Sequence, residues 1–292
     1  MSEENTAAAA QKLYVCPTPI GNLEDITLRT LNVLREADII ACEDTRRTGK
    51  LLKHFDIENK LISYHEHNAA ARCKHLIAEL EEGKKVALVS DAGTPGISDP
   101  GSRLITAAIA ASIEIIPLPG PSALLPALVA SGLPADRFVF EGFLPKKGQE
   151  RQERLAALKR EVRTIVIYES PYRICDTVSE LAEIMPERKL SLVREISKVH
   201  EEKFYGTTSS LAAELADEDI KGEVVLVLAG RDQETAEKEG YEHLSVIEHV
   251  KKLMEHGYHK KEAIKMVARE RDLSRNEVYE EAIAIDARPD EN

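Results

Sequence analysis

The sequence predicts an α/β protein of two lobes: a parallel α/β first lobe and a mixed-sheet α+β second lobe, followed by a small C-terminal helical module. Three observations support this. From Leu13 to Leu118, short apolar runs the length of buried strands alternate with helical patterns, and the runs near Pro17, Asp91 and Pro119 end in loops rich in proline and glycine. In the second half the runs at Leu190 and Lys203 lie too close together for a crossover helix, so the sheet there is mixed. Beyond Leu244 the pattern is helical only.

Residues 1–11 read as a disordered tail. Leu13–Cys16 is a first strand, ending in PTPIGN (17–22), and a helix follows over Thr27–Glu36. Ile39–Cys42 is a second strand running into the charged cluster Glu43-Asp44-Thr45-Arg46-Arg47, which reads equally as polar site residues or as a helix start. Leu61–Tyr64 is a third strand, with His65 and His67 beyond it. No third ligand stands at a known spacing from these histidines, so no metal site is expected. A helix over Ala69–Glu82 leads to Val86–Val89.

The stretch after Val89, SDAGTPGISDPG, holds Gly93, Gly96 and Gly101 with two prolines. Glycines allow close approach of backbone to a ligand, and strand-to-helix loops at carboxyl strand ends are where open α/β sheets bind ligands. Asp99 and Pro100 read as an N-cap and first helical residue. Ile113–Leu118 is the next strand. After it, Ser122 is expected to cap a helix whose amino end faces a ligand.

In the second lobe, Arg137–Phe140 reads as a strand entering EGFLPKKG (141–148), an exposed basic loop. A charged helix covers Gln149–Lys159. Thr164–Tyr168 is a strand, with Ser170-Pro171 read as cap and first helical position. Strands follow at Leu190–Val193, Lys203–Tyr205 and Val224–Leu228. The lobes are placed at 12–119 and 120–230, a polar linker at 231–243, a helix-turn-helix-like module at 244–285 and a tail at 286–292. In that module helices are read over Tyr258–Arg271 and through Val278 to Ile283, with Ser274 capping the second.

Net charge is −12, which disfavours nucleic acid as a partner unless part of the chain is locally basic. Between Lys251 and Arg275 there is such a part: eight Lys/Arg stand against four Asp/Glu. RNA contact and a solvated docking helix pair both fit it. Four scattered cysteines with no CxxC pair suit a reducing compartment. No apolar run approaches bilayer length, so a cytoplasmic location is expected.

Seven blocks in order then resemble one family. TPIGNLEDIT (18–27), EDTR (43–46), VSDAGTPGISDPG (89–101), PLPGPSA (117–123), EGFLP (141–145), YESPYR (168–173) and GEVVLV (222–227) look like the ribosomal RNA small subunit methyltransferase I family, of the tetrapyrrole-methylase-like class. The resemblance implies a bilobal fold, a homodimer and S-adenosylmethionine as cofactor in the cleft between lobes. It also implies 2′-O-methylation of a cytidine ribose in the decoding region of 16S ribosomal RNA in the small ribosomal subunit. Carried over block by block, Pro17, Asp91, Ala92, Gly93, Ile97, Ser98, Ser122 and Ala123 would line the cofactor from the first lobe, and Tyr168 and Glu223 from the second.

A ribose hydroxyl is a poor nucleophile, so a base or a cation that lowers its pKa helps the reaction. Glu195 and Lys198, after a second-lobe strand, are the catalytic candidates. Lys146, Lys147 and Arg173 are the candidates for RNA phosphate contact. Two other functions fit parts of the pattern: a tetrapyrrole (precorrin-type) C-methyltransferase, for which the helical tail has no purpose, and a non-catalytic RNA-binding assembly factor, which intact glycine-rich loops disfavour.

Overall fold

The computed structural model describes residues 11–216, 218–232, 244–255, 257–271 and 273–283. The tails expected at 1–11 and 286–292, save Gln11, and the linker from 233 onward lie outside the described residues. The chain divides into two compact units, one of Met1–Lys159 with Arg163–Ala229 and one of Arg160–Val162 with Gly230–Asn292.

The first unit holds two five-stranded sheets. Strands β1 (Lys12–Val15), β2 (Ile39–Cys42), β3 (Leu61–Ser63), β4 (Val86–Val89) and β5 (Glu114–Pro117) form the first, in the order β3-β2-β4-β1-β5 and all parallel. Helices α1 (Leu28–Glu36), α2 (Thr45–His54), α3 (Ala69–Glu81) and α4 (Gly101–Ala110) make the crossovers. Every residue of β2 and β4 is buried, as a sheet covered on both faces requires. Leu13, Ile39 and Val86 pack under α3 and α4, while Ile40, Ala87 and Val89 pack under α1 and α2. Thr27 and Asp44 cap α1 and α2.

The second sheet holds β6 (Phe138–Phe143), β7 (Thr164–Glu169), β8 (Lys189–Arg194), β9 (Glu202–Thr207) and β10 (Val224–Leu228), in the order β6-β7-β10-β8-β9. Only β6 and β7 pair in parallel, so the sheet is mixed as expected. Alternation along β10 sends Leu226 and Leu228 to one core and Val225 and Val227 to the other. The first core is closed by α6 (Gln149–Arg160), α7 (Ile174–Ile184) and α8 (Thr208–Leu215), the second by α5 (Leu124–Ser131).

Four local expectations need correction. β6 does not stop at Phe140: a bulge between Phe140 and Gly142, with Gly142 at φ +68°, lets pairing continue to Phe143. Ser122 does not cap α5, whose N-cap is Ala123 without a side-chain bond. Ser170 does not cap α7 either. Its hydroxyl accepts the Tyr172 amide in a turn, and the helix begins four residues later, at Ile174. The N-cap of α4 is Pro100, yet Asp99 still does a capping residue's work, its Oδ1 accepting the Gly101 amide at 2.9 Å and the Gly96 amide at 2.7 Å.

The described part of the second unit packs three helices: α9 (Val246–Glu255), α10 (Lys260–Glu270) and α11 (Arg275–Ala282). Val250, Val267 and Val278 meet in their common core. Ser274 caps α11 in a reciprocal box with Glu277. Helix α9 has no counterpart in the two-helix reading, although its apolar positions Val246, Val250 and Leu253 stand at helical spacing.

Candidate active site

Adjacent parallel strands β1 and β4 bring their carboxyl ends side by side. The loops beyond them are tied by a two-way backbone bridge, Thr18 N–H to Gly93 O and Gly93 N–H to Thr18 O, each 2.9 Å. The Ser90 hydroxyl donates to Gly93 O at 3.0 Å, and Thr18 Oγ1 donates to Ser90 O at 3.0 Å. This bonding fixes a turn that would otherwise be loose, with Gly93 at φ +80°. Ser98, a non-glycine at φ +61°, lies in the same loop.

Facing this loop, the ends of β6, β7 and β10 close a cleft of about 350 Å³. That is the size range of small-molecule and cofactor sites. Nine of the ten cofactor candidates line it: Asp91, Ala92, Gly93, Ile97, Ser98, Ser122, Ala123, Tyr168 and Glu223. Pro17 does not. It packs beneath Gly120, where an added Cβ would stand 2.7 Å from the Pro17 Cβ. Burial raises the pKa of the Tyr168 phenol, and Ser122 beside it opposes that rise. Phe140 and Phe143 meet the Tyr168 ring edge-on at 4.8 and 5.8 Å.

The electrostatics of the lining are one-sided. Glu43, Asp91, Asp99, Glu169 and Glu223 reach it, with Arg47 the one cation of the lining among the described residues, while Arg173 and Lys198 pair Glu169 and Glu223 from just outside it. Asp91 is largely committed, accepting the Asp44 amide at 3.0 Å on Oδ1 and pairing Arg47 at 3.2 Å on Oδ2. Glu43 is the residue sequence reasoning placed in a charged cluster without a role. Among the described residues its carboxylate has no hydrogen-bond or ion partner. Desolvation, then the charges of Asp91 and Asp99, raise its pKa. Only the fold could single it out, because its neighbours come from β4 and the loop beyond.

Glu195 and Lys198 do come together, at the rim and outside the lining itself. Lys198 Nζ lies 2.8 Å from Glu195 Oε1 and 3.1 Å from Glu223 Oε2, and Glu223 is the member that faces the cleft. Glu195 Oε1 also accepts the Glu223 amide at 2.8 Å. Burial opposes both charges, but the pairing wins: the Glu195 carboxyl lies below its ordinary pKa and the Lys198 ammonium above its own. Glu195 and Ser197 both hold positive φ, +52° and +67°. A Cβ on Gly21 would collide with the Lys198 side chain, and one on Gly222 with the Glu195 carboxylate, so two glycines leave the pair its space.

Of the RNA candidates, Lys146 and Lys147 are exposed just beyond β6 and have no ion partner among the described residues. Arg173 is turned inward instead, pairing Glu169 Oε1 at 2.5 Å and donating to Leu144 O at 3.2 Å. A buried carboxylate and a loop carbonyl occupy the guanidinium, so it does not stand free for phosphate.

Residues 12–212 match the family described as Tetrapyrrole (Corrin/Porphyrin) Methylases, and the chain belongs to it. Two curated relatives carry the name ribosomal RNA small subunit methyltransferase I. The Halalkalibacterium halodurans protein is 46% identical over 91% of this chain and 93% of its own. The Synechocystis protein is 44% identical over 94% of this chain and 98% of its own. Among solved structures, the uroporphyrin-III-C-methyltransferase of Thermus thermophilus shares the fold, with a TM-score of 0.55 and 22% identity over 75% of this chain and 94% of that one.

Proposed function

We propose that this protein is a methyltransferase that uses S-adenosylmethionine to methylate the ribose 2′-hydroxyl of a cytidine in small-subunit ribosomal RNA. The match to curated relatives across nine-tenths of both chains supports RNA of the small subunit as substrate. The single structural observation behind the reading is the acid-lined cleft on the glycine-rich loop. A sulfonium ligand is a cation without phosphate, and it suits a wall whose carboxylates outnumber its cations even with Asp91 paired to Arg47, Glu169 to Arg173 and Glu223 to Lys198. The name that the curated relatives carry is what weighs against the C-methyltransferase alternative.

When bound, the cofactor supplies an electrophilic methyl group. The β4–α4 loop from Asp91 to Ser98, with Ser122, Ala123, Tyr168 and Glu223, would hold it. Lys198, kept protonated by Glu195 and Glu223, favours negative charge on the attacking ribose oxygen. Glu195 is bonded through Oε1, and its Oε2 is the destination we assign to the ribose proton. A carboxylate held this low in pKa is a weak base, so positioning supplies most of the rate.

Lys146 and Lys147 contact phosphates at the cleft edge. Further contacts come from α10, where Lys261, Lys265 and Arg269 recur at four-residue spacing, all exposed and without ion partners among the described residues. The outward face of α11 carries Glu277, Glu280 and Glu281, which phosphate repels. Hence the first helix of the helix-turn-helix pair, not the second, is the RNA-facing one. The protein acts in the cytoplasm as a homodimer, and sedimentation of the purified chain tests the dimer.

The test of the activity is transfer of tritium from methyl-labelled S-adenosylmethionine to purified small subunits, followed by mapping of ribose methylation. Label confined to one cytidine 2′-oxygen is expected. No label in the RNA, or label on a base, would overturn the reading.

A further inference from the structure

The loop that carries Lys146 and Lys147 is rooted in an unusual way. Phe143 faces the cleft, and Leu144 is buried in the core under α6 and α7. The next two carbonyls are each taken by an arginine: Leu144 O accepts from Arg173 Nη1 at 3.2 Å and Pro145 O from Arg151 Nη1 at 2.9 Å. The two guanidiniums are joined behind the loop. Arg173 pairs Glu169 Oε1 at 2.5 Å, Glu169 Oε2 accepts the Thr177 hydroxyl at 2.8 Å, and Thr177 Oγ1 accepts from Arg151 Nη2 at 2.8 Å. Arg151 is completed by Glu180, 2.8 Å from its Nε. The bonds thus close a ring through one peptide unit of the loop.

Three members of the ring are buried, Thr177 at 0%, Glu169 at 3% and Arg151 at 6% exposed, and Arg173 is partly exposed at the loop side. Burying ion pairs costs several kcal/mol per charge, and well-packed apolar residues would stabilise the same volume as well or better. Fold stability alone therefore does not account for the ring. What apolar packing cannot do is hold two consecutive carbonyls in fixed directions. Two arginines balance two glutamates, so the ring adds no net charge and the field of the loop is that of its lysines.

We propose that Arg151, Thr177, Glu169 and Arg173 form a positioning clamp that holds Lys146 and Lys147 at the cleft edge, where they meet phosphates flanking the target nucleotide. This rests on the RNA-methylating function proposed above. Glu169 belongs both to the cleft wall and to the ring, so the wall and the loop share one rigid frame. The four are positioning residues, since the reacting atoms are met by others.

The test measures methyl transfer to purified small subunits as a function of salt, with the full-length chain. The reference is the double variant Lys146→Ala/Lys147→Ala. It should raise KM for subunits about tenfold and reduce the salt dependence by about two phosphate contacts. Thr177→Val removes one donor and one acceptor at nearly constant volume. It should raise KM severalfold, while kcat and calorimetric affinity for S-adenosylhomocysteine stay within twofold. Thr177→Ser keeps the hydroxyl and should restore the wild-type KM. Placed on the lysine-free background, Thr177→Val should add nothing further.

If wild-type protein labels subunits and the lysine pair matters, but Thr177→Val keeps both KM and salt slope, the clamp is refuted while the function stands. An additive loss on the lysine-free background refutes it too, as does equal loss of cofactor affinity. If wild-type protein labels no RNA, or the lysine pair proves neutral, the clamp falls with the reading it rests on. Arg151→Gln, checked for folding by near-ultraviolet circular dichroism, repeats the test from the other side of the ring.

Discussion

Lys198 Nζ stands 2.8 Å from Glu195 Oε1, and the two are held in a loop where Glu195 itself adopts φ +52°. A charge pair kept in strained backbone is costly to maintain, and strain of this kind collects at functional sites. Replacing Lys198 by Met should lower kcat by about 10²-fold or more, with affinity for S-adenosylhomocysteine within twofold. Glu195→Gln should act in the same direction and more weakly. Single-turnover rates with small subunits, paired with calorimetry, check both.

The unpaired Glu43 carboxylate makes the opposite trade. Its folded-state pKa is raised, so the charge it carries at neutral pH disfavours the fold slightly, and the penalty fades as pH falls through that pKa. Glu43→Gln should leave thermal stability at pH 7 equal or up to about 2 °C higher. Cofactor affinity should fall in the same variant, because a cation loses one of its attractive charges. Melting curves and calorimetry at pH 7 decide it, and a tighter-binding variant would remove Glu43 from the cofactor's surroundings.

Gly120 lies against the rigid ring of Pro17, with an added Cβ 2.7 Å from Cβ and 3.0 Å from Cγ of the proline. Neither partner is a flexible side chain, so the backbone must shift. Gly120→Ala should destabilise by about 1–3 kcal/mol and displace the loop that carries Ser122 and Ala123. Thermal unfolding with and without S-adenosylhomocysteine measures both effects. The family resemblance implied a cofactor contact for Pro17, and the structure packs it against Gly120 outside the cleft lining instead.

On α10, Lys261, Lys265 and Arg269 span about 12 Å, eight residues at 1.5 Å each. Replacing all three by Ala should weaken RNA binding and reduce the log–log salt slope by about two to three. Neutralising Glu277, Glu280 and Glu281 on α11 should leave affinity unchanged or raise it. Filter binding of small-subunit RNA over a salt series distinguishes these outcomes, and sedimentation shows whether either set alters oligomeric state instead.

His249 is buried in the second unit, its Nε2 3.2 Å from Glu270 Oε2 and its Nδ1 accepting from Arg271 Nε at 3.3 Å. Burial first, then the charges of Arg271 and Lys252, lower its pKa from 6.5 to about 4. The unfolded chain therefore binds more protons than the folded one between those values. Stability is complete above about pH 6.5, is lost as pH falls toward 4 and is level below it, about 3 kcal/mol in all. Hydrogen exchange of α9 and α10 amides across that window should show the loss, and His249→Gln should abolish it.

The strands were legible because buried runs such as Val86–Val89 and Val224–Leu228 admit no other reading between their glycines and prolines. The glycine-rich loop declared itself by punctuation. Helix starts were harder. Ser170 and Ser122 each look like caps, but Ser170 closes a local turn on the Tyr172 amide and Ser122 meets Tyr168 from a distant strand. Arg173 read as an exposed cation because nothing local shows Glu169 buried beside it. Side-chain direction belongs to tertiary structure, so the Glu195–Lys198 pair could be guessed from a three-residue spacing while the solitude of Glu43 could not.

The acid lining of the cleft has one more effect, felt after the reaction. Once a sulfonium has given up its methyl it is an uncharged thioether, and the same carboxylates that drew it in hold it less. A wall with an excess of carboxylates thereby favours exchange of exhausted donor for fresh, and added salt should narrow the gap between the two affinities.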